Sequence, residues 1–363
     1  MKVQRLESLK QLLFSLVEVG SPSGFEEPMM RRLVEELRPL CDEVYDTPRG
    51  NVVGVQRGTD PEAPSVALAA HTDQVGFVVF NVDDRGFIRF RRIGGAVTRT
   101  IQGHQVRLLT REGPVIGVVG VKPGHVTKPE EAYKVPPVEE MYIDIGADSK
   151  EEAHRRGVEI GTPIVWNTGP VELGNSYVAT AAADDRAGLA AMITIARSLS
   201  DKPIPATVYY VGTVEEEIGL RGAEVAVHGL DLDAAVAIDT CSAGYQPDVD
   251  MRDIYYEVGK GPAIHIGELG SRTRLGSQVL RRWLVGVAEA NGIPYQTGLM
   301  HGGTDASAMQ QTEAGVAVIS IGVPRRYSYS PVEVMSLDDL HNLTEILTRA
   351  VEGLTSGFSA HRI

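Results

Sequence analysis

The hydrophobic pattern divides the chain into two kinds of region. Continuous apolar runs, typical of strands buried on both faces, occur at Val66–Ala70, Ala206–Thr213, Ala234–Ile238 and Val316–Ile321. Helix-period segments follow at about 185–199, 220–228, 272–291 and 336–355. This alternation predicts an α/β fold: a doubly wound, mostly parallel sheet with helices on both faces.

The middle of the chain has a different period. From about 74 to 177, short alternating segments are separated by Gly and Pro, as in Gly76–Phe80 and Gln105–Leu109. This pattern predicts a β-rich, barrel-like insertion. We therefore expect a discontinuous α/β domain made of residues 1–73 and 178–363, interrupted by a β-rich domain at 74–177.

Two serines have the spacing of helix capping boxes. Ser23 precedes Glu26 by three residues, and Ser336 precedes Asp339 by three. In a capping box the serine hydroxyl accepts the backbone N–H of the residue three positions later. We expect helices to begin at both places.

Composition and charge narrow the class of protein. The chain has 363 residues and a formal net charge of −13, which disfavours a nucleic-acid partner. Its only cysteines, Cys41 and Cys241, exclude both a disulfide framework and a thiolate zinc site. The charged N-terminus does not have the pattern of a signal peptide, and no run approaches the roughly 18 apolar residues of a membrane span. A cytoplasmic protein without membrane contact is expected.

Acidic residues and one histidine follow the predicted strands. His71 and Asp73 come after the first run, Glu215–Glu217 after the second and Asp239 after the third, while the Asp184–Asp185 pair precedes a helix. Since ligands bind at the carboxyl ends of strands in open α/β sheets, these groups are expected to converge.

Each of these groups also has a structural explanation. Asp184 or Asp185 could cap the helix, and the Glu215–Glu217 run could be a solvated face. Together, however, an imidazole and several carboxylates suit zinc, cobalt or manganese, and a bridging carboxylate would make a two-metal hydrolytic site. On an extended chain Glu216 and Glu217 would point to opposite sides, so that one could bind metal while the other faces substrate.

Seven motifs, in order, resemble those of the dinuclear metallo-aminopeptidases of metallopeptidase family forty-two, the tetrahedral (TET), glutamyl and deblocking aminopeptidases. The motifs are Ser21-Pro-Ser-Gly-Phe-Glu26, Ala70-His-Thr-Asp-Gln-Val-Gly-Phe77, Ala183-Asp-Asp-Arg-Ala-Gly188, Thr213-Val-Glu-Glu-Glu-Ile-Gly-Leu-Arg-Gly-Ala223, Ala237-Ile-Asp239, Gly302-Gly-Thr-Asp-Ala306 and Arg326-Tyr-Ser-Tyr-Ser-Pro-Val-Glu333. The resemblance implies an α/β aminopeptidase whose inserted β-rich domain mediates dimerisation. It also implies homo-oligomers, from dimers to dodecamers.

The resemblance also implies a set of metal ligands. His71 and Asp239 would bind one divalent ion and Glu217 the other. Asp184 would bridge the two ions, typically through a cis peptide to Asp185. The cofactors would be up to two divalent ions per subunit.

Further roles follow from the same resemblance. Glu216 matches the general base that acts on a metal-activated water. Asp73 matches the acid that supports His71. Glu215 stands where the family often has Gln, which would matter little or raise the pKa of Glu216 slightly.

Tyr329 departs from the family pattern, which has histidine there as the last ligand of the second ion. Three outcomes are open: Tyr329 ligates as a phenolate, His301 substitutes for it, or the second site is weakened or empty. The leading hypothesis is a metal-dependent aminopeptidase acting on short peptides. The alternative is a catalytically impaired relative that serves as a binding or assembly module; a glycosidase is disfavoured because Glu216 and Glu217 are adjacent.

Overall fold

A computed structural model describes residues 2–270, 272–312 and 315–361. Its α-helices are α1 (Lys2–Val17), α2 (Glu27–Leu37), α3 (Lys150–Arg155), α4 (Ala183–Leu199), α5 (Ala223–Ala226), α6 (Gln278–Ala290), α7 (Ala306–Met309) and α8 (Leu337–Glu352). Single-turn 3-10 helices lie at Thr98–Thr100, Gly124–Val126 and Val138–Glu140. None of the helices in these ranges has the length and apolar character that crossing a bilayer requires.

The strands fall into a large sheet and a barrel. They are β1 (Glu43–Asp46), β2 (Val52–Gln56), β3 (Ser65–His71), β4 (Gly76–Val82), β5 (Ile88–Ile93), β6 (Gln105–Thr110), β7 (Gly113–Val119), β8 (Ile143–Asp144), β9 (Pro163–Trp166), β10 (Val171–Glu172), β11 (Tyr177–Thr180), β12 (Thr207–Thr213), β13 (Ala234–Ser242), β14 (Ala263–Glu268), β15 (Arg274–Leu275), β16 (Gln296–Met300), β17 (Ala317–Arg326) and β18 (Glu333–Ser336).

The large sheet has 12 strands and is parallel at its centre. Its main path runs β1-β2-β12-β3-β13-β17-β18-β11-β10, with β14, β15 and β16 attached beside β17. The pairs β12–β3, β3–β13 and β13–β17 are parallel. Along the main path the pairs outside this centre are antiparallel. The predicted α/β class is confirmed, but the sheet is mixed and not mostly parallel. Among the described residues, parallel pairing in this sheet is limited to β12–β3, β3–β13, β13–β17 and β14–β16, because the outer strands join the sheet as antiparallel neighbours.

Helices cover both faces of this sheet, as the continuous apolar runs predict. In β3, Val66, Leu68 and Ala70 pack into a core with residues of α1, α2, α4, α6 and α8. Ala67 and Ala69 point the other way, into a core that includes residues of α5 and α7. Because side chains alternate along a strand, burial on both faces requires every position of the run to be apolar.

The insertion forms a closed barrel of six strands in the order β4-β5-β8-β7-β6-β9. Its core includes Phe77, whose ring packs edge-to-face on both Phe90 and Trp166. The short strand Val171–Glu172 pairs with β11 and so belongs to the large sheet. The domain limits predicted from the sequence, 74–177 within 1–73 and 178–363, stay a proposal.

One of the two predicted capping boxes is wrong. Ser336 accepts the Asp339 N–H at 3.3 Å and caps α8 as expected. Ser23 instead donates its hydroxyl to Asp73 at 2.6 Å, and α2 begins at Glu27 without a side-chain cap. The Ser23 hydroxyl is directed to the buried Asp73 carboxylate, since hydrogen bonds to ionised groups are stronger than those to neutral groups.

Candidate metal and catalytic centre

The residues expected at the strand ends do meet at one edge of the sheet. His71 is the last residue of β3, and Asp239 lies late in the neighbouring β13. Two sets of three residues each bring their ligand atoms within 4.8 Å of one another. One set is His71, Asp185 and Asp239, and the other is His71, Asp184 and Glu217. An imidazole shared between two carboxylate pairs is a donor set suited to a divalent transition metal.

Both nitrogens of His71 face carboxylates. Its Nδ1 lies 3.2 Å from Asp73 Oδ1, and its Nε2 lies 3.1 Å from Asp184 Oδ1. Burial lowers the pKa of His71, but hydrogen bonds to Asp184 and then Asp73 reverse this, so the pKa is raised well above its ordinary value. The Asp73 contact fixes the ring so that Nε2 faces the other acidic groups.

Asp73 also positions the acidic loop after β12. Fully buried, it accepts the backbone N–H groups of Glu216 at 3.0 Å and Glu217 at 3.1 Å. Burial raises the pKa of Asp73, but His71, Ser23 and the Glu216 N–H lower it by more than burial raises it. The pKa is therefore below its ordinary value, and Asp73 stays ionised. One carboxylate therefore fixes both the imidazole and the loop, a link that the His71-x-Asp73 spacing alone does not reveal.

The acidic loop is a turn and not a continuation of the strand. Glu215 has φ of 54°, and the Glu216 carbonyl accepts the N–H groups of Gly219 and Leu220, each at 2.9 Å. The extended-chain argument for opposed Glu216 and Glu217 side chains is therefore wrong. The left-handed residue at 215 turns the chain, and Asp73 holds the next two residues at the site.

Glu215 points away from the centre. Its carboxylate lies 2.6 Å from Arg49 and 3.7 Å from Arg221. The pKa of Glu216 is nevertheless raised well above its usual range, first by burial and then by neighbouring carboxylates led by Glu217, against the opposing charge of His71. Glu215 is thus paired with two arginines, and the expected effect of its extra charge on Glu216 stays a prediction.

Several carboxylate oxygens at this edge have no partner. Within the described residues, Glu217 Oε1 and Asp185 Oδ2 are buried and accept no hydrogen bond. Burial, followed by the charge of Asp184, raises the pKa of both Glu217 and Asp239. Buried oxygens without donors are costly, and a bound cation would relieve that cost.

The sequence left open whether Asp184 and Asp185 cap the helix or bind metal, and the two residues differ in this respect. The peptide bond between them is cis, as the resemblance implies. Asp185 Oδ1 caps the start of the helical turn by accepting the Gly188 N–H at 2.8 Å. Its free Oδ2 places Asp185 among the possible ligands, which sequence reasoning missed.

A buried arginine, which the sequence did not indicate, contacts the acidic residues of the centre. Arg325, near the end of β17, donates to Asp184 Oδ2 through Nη2 and to Glu333 Oε1 through Nη1 at 2.9 Å. Glu333 in turn accepts the Asp184 N–H at 3.2 Å and the Tyr329 N–H at 2.7 Å. Burial raises the pKa of Asp184, but Arg325 and then His71 outweigh it and lower the pKa. Neither Arg325 nor Glu333 was a candidate from sequence.

Tyr329 lies beside this arginine, and His301 belongs to neither of the two sets of ligand atoms. The Tyr329 ring centroid is 5.0 Å from the Arg325 guanidinium carbon. The charge of Glu217 and then burial raise the Tyr329 pKa well above its ordinary value, which opposes phenolate formation. His301 is exposed, and its Nε2 lies 2.9 Å from the Asp253 carbonyl oxygen.

Comparisons with known proteins agree with the motifs. Residues 50–346 match the profile described as M42 glutamyl aminopeptidase. A lysyl aminopeptidase from Pyrococcus furiosus is 35% identical over 95% of this chain and 97% of its own length. An aminopeptidase structure from Desulfurococcus kamchatkensis superposes with a TM-score of 0.91 at 35% identity, covering 97% of this chain and 96% of that one.

A third relative carries information on assembly. The structure of Pyrococcus horikoshii TET1 peptidase superposes with a TM-score of 0.84 at 30% identity, covering 95% of this chain and all of that one. The TET1 peptidase can assemble into a tetrahedron or a large octahedral shell.

Proposed function

The chain belongs to the M42 glutamyl aminopeptidase family and is a hydrolase, and on that premise we propose that it removes N-terminal residues from short peptides in a divalent-metal-dependent reaction. The observation that carries the proposal is the meeting of His71 with carboxylates whose buried oxygens lack hydrogen-bond donors. Such oxygens are available to a cation.

The donor set fits a metal ion at the His71 side of the centre. By the family resemblance, His71, Asp184 and Asp239 would hold it. The ligand atoms of His71, Asp185 and Asp239 lie within 4.8 Å of one another, as do those of His71, Asp184 and Glu217. Imidazole nitrogen and carboxylate oxygens suit zinc, cobalt or manganese. When bound, such an ion supplies Lewis acidity and makes water a stronger nucleophile at neutral pH.

Glu216 is the proposed general base. Its pKa is raised by burial among other carboxylates, which suits a group that accepts a proton from water and passes it to the leaving amine. Asp73 is a positioning residue, because its carboxylate holds the Glu216 backbone at 3.0 Å and the His71 ring at 3.2 Å. Loss of Asp73 would displace both groups together.

We also infer that the subunit forms a homo-oligomer through its barrel, as a dimer or in larger shells. The tetrahedral and octahedral assemblies of the TET1 peptidase support this inference. Exposed apolar side chains on and beside the barrel strands support it independently: Phe80, Ile116, Val118, Val121, Val126 and Tyr133. Light scattering on the purified protein measures the number of subunits.

The test of the function compares two neighbouring glutamates. Chromogenic aminoacyl substrates are assayed after chelation and after return of zinc, cobalt or manganese. We expect metal-dependent hydrolysis, and a 10²- to 10⁴-fold lower kcat in Glu216→Gln. Glu215→Gln is the matched control, expected to keep its activity since Glu215 pairs with Arg49.

Two results would contradict the proposal. Unchanged hydrolysis in Glu216→Gln would remove Glu216 as the base. No hydrolysis and no bound metal in the wild-type protein would favour the alternative of a binding or assembly module. That alternative draws on the Arg325–Asp184 contact and on Tyr329.

A further inference from the structure

The two carboxylate oxygens of Asp184 face different partners. Oδ1 lies 3.1 Å from His71 Nε2, on the side where the donor set fits a metal ion. Oδ2 accepts a hydrogen bond from the Arg325 guanidinium. The side chain of Arg325 is 4% exposed, so this cation is a buried and fixed part of the centre.

A carboxylate that bridges two metal ions with one oxygen on each needs both oxygens free. The family resemblance assigns the second ion to Asp184, Glu217 and a histidine at position 329, where this chain has Tyr329. With Asp184 Oδ2 engaged by a guanidinium, a second dication there would meet a positive charge and lose an oxygen ligand. Like charges close together in a buried site repel strongly.

The surroundings hold Arg325 in this position from several sides. Nη1 donates to Glu333 Oε1 at 2.9 Å, and Nε donates to Thr240 Oγ1 at 2.6 Å. The Tyr329 ring lies within cation–π distance of the guanidinium. A planar guanidinium with anions at two corners and an aromatic ring nearby is a built arrangement.

We propose that the Arg325 guanidinium takes the place of the second divalent ion, so that each subunit binds one metal ion. The proposal rests on the metal-dependent function inferred above. The donors agree with it, because both candidate ligand groups include His71 and its Nδ1 is engaged by Asp73. One imidazole nitrogen is left, and it binds one ion.

This assignment gives Tyr329 a role other than ligation. If the Arg325 guanidinium takes the place of the second ion, no metal ligand is needed at position 329. Its aromatic ring instead contacts the cation that replaces the metal. Arg325 and Tyr329 are therefore a coupled pair, and Arg325 supplies a fixed charge beside Asp184 that cannot be removed by a chelator.

The first test counts metal ions in the wild-type enzyme. The protein is dialysed to equilibrium against zinc or cobalt, the bound metal is measured by plasma mass spectrometry, and the binding stoichiometry is measured by calorimetry. We expect one ion per subunit. Two ions would overturn this inference and leave the proposed function standing, whereas no bound ion at saturation would overturn both.

The second test restores the family's ligand. The double variant Arg325→Ala/Tyr329→His is expected to bind two ions per subunit. Its matched control, Arg326→Ala/Tyr327→His, changes the same residue types one and two positions away and is expected to bind one. A double variant that still binds one ion would overturn the proposal. The wild-type count decides the matter if the double variant does not fold.

Discussion

Two buried acidic regions of this molecule are built in opposite ways. At the end of β14, Glu268 is completely buried, and donors engage both of its oxygens. The donors are Arg274 at 2.7 Å, the Thr304 hydroxyl at 2.7 Å and N–H at 3.1 Å, Ser307 at 2.6 Å and Ser320 at 2.6 Å. At the metal centre, by contrast, Glu217 Oε1 and Asp185 Oδ2 have no donor among the residues that the structure describes.

The pKa shifts of the two regions differ in sign. Burial raises the pKa of Glu268, but Arg274 and the hydroxyl donors outweigh it and the pKa falls to about 2. For Asp239, burial and the charge of Asp184 act together and raise the pKa. A carboxylate with a full set of donors stabilises the fold, whereas carboxylates without donors beside an imidazole are available to a cation.

The largest expected effect comes from breaking the buried Glu268–Arg274 ion pair. Glu268→Ala should lower the free energy of unfolding by about 3–5 kcal/mol, because it leaves the buried Arg274 without its anion. Denaturant unfolding measures the loss. As a control, Glu345→Ala removes a partly exposed partner of Arg5 and should cost at most about 1 kcal/mol. A Glu268 variant as stable as this control would show that the two regions do not differ.

At the metal centre, the free energy of unfolding should rise when a divalent ion binds. It should not fall when a single carboxylate is neutralised in the absence of metal. A divalent ion at 100 times its dissociation constant should raise the wild-type unfolding free energy by about 2.7 kcal/mol. Asp239→Asn should lose most of that gain yet be no less stable than wild type without metal, since it relieves like-charge repulsion. Asp338→Asn, a surface change, should keep the gain. An equal gain in Asp239→Asn would contradict the assigned ligand.

Acid should have a smaller effect, a loss of unfolding free energy that depends on Glu268. Because the pKa of Glu268 in the folded state, about 2, is below its ordinary value of about 4.3, its stabilisation is complete above the ordinary value and is lost as pH falls towards 2. Between pH 4 and pH 3, wild type should lose about 1 kcal/mol more than Glu268→Gln. Parallel pH profiles of the two proteins would refute the lowered pKa.

Much of the fold follows from local pattern. The run Val66–Ala70 predicts β3, which spans Ser65–His71, and the helical pattern at 185–199 predicts α4, which spans Ala183–Leu199. The fourth run ends at Ile321, but β17 continues to Arg326. Pairing with β13, where Arg325 lies opposite Ser242, extends the strand past the end of its apolar run. Such tertiary pairing leaves no local signal.

The candidate site was predictable in part. The motifs and strand ends indicate His71, Asp184 and Asp239, and the structure brings them to one edge of the sheet. Arg325 could not be found this way, because its role depends on Asp184, 141 positions earlier. The family motif begins one residue later, at Arg326, so the nearest available signal was the pair of consecutive arginines.

The central claim is that this sheet edge binds a divalent ion through His71. Crystals soaked in zinc or manganese, with data collected at the metal's absorption edge, test it most directly. We predict an anomalous peak about 2.0–2.2 Å from His71 Nε2 and from oxygens of Asp184 and Asp239. A bound ion located elsewhere, with no peak beside His71, would contradict the claim.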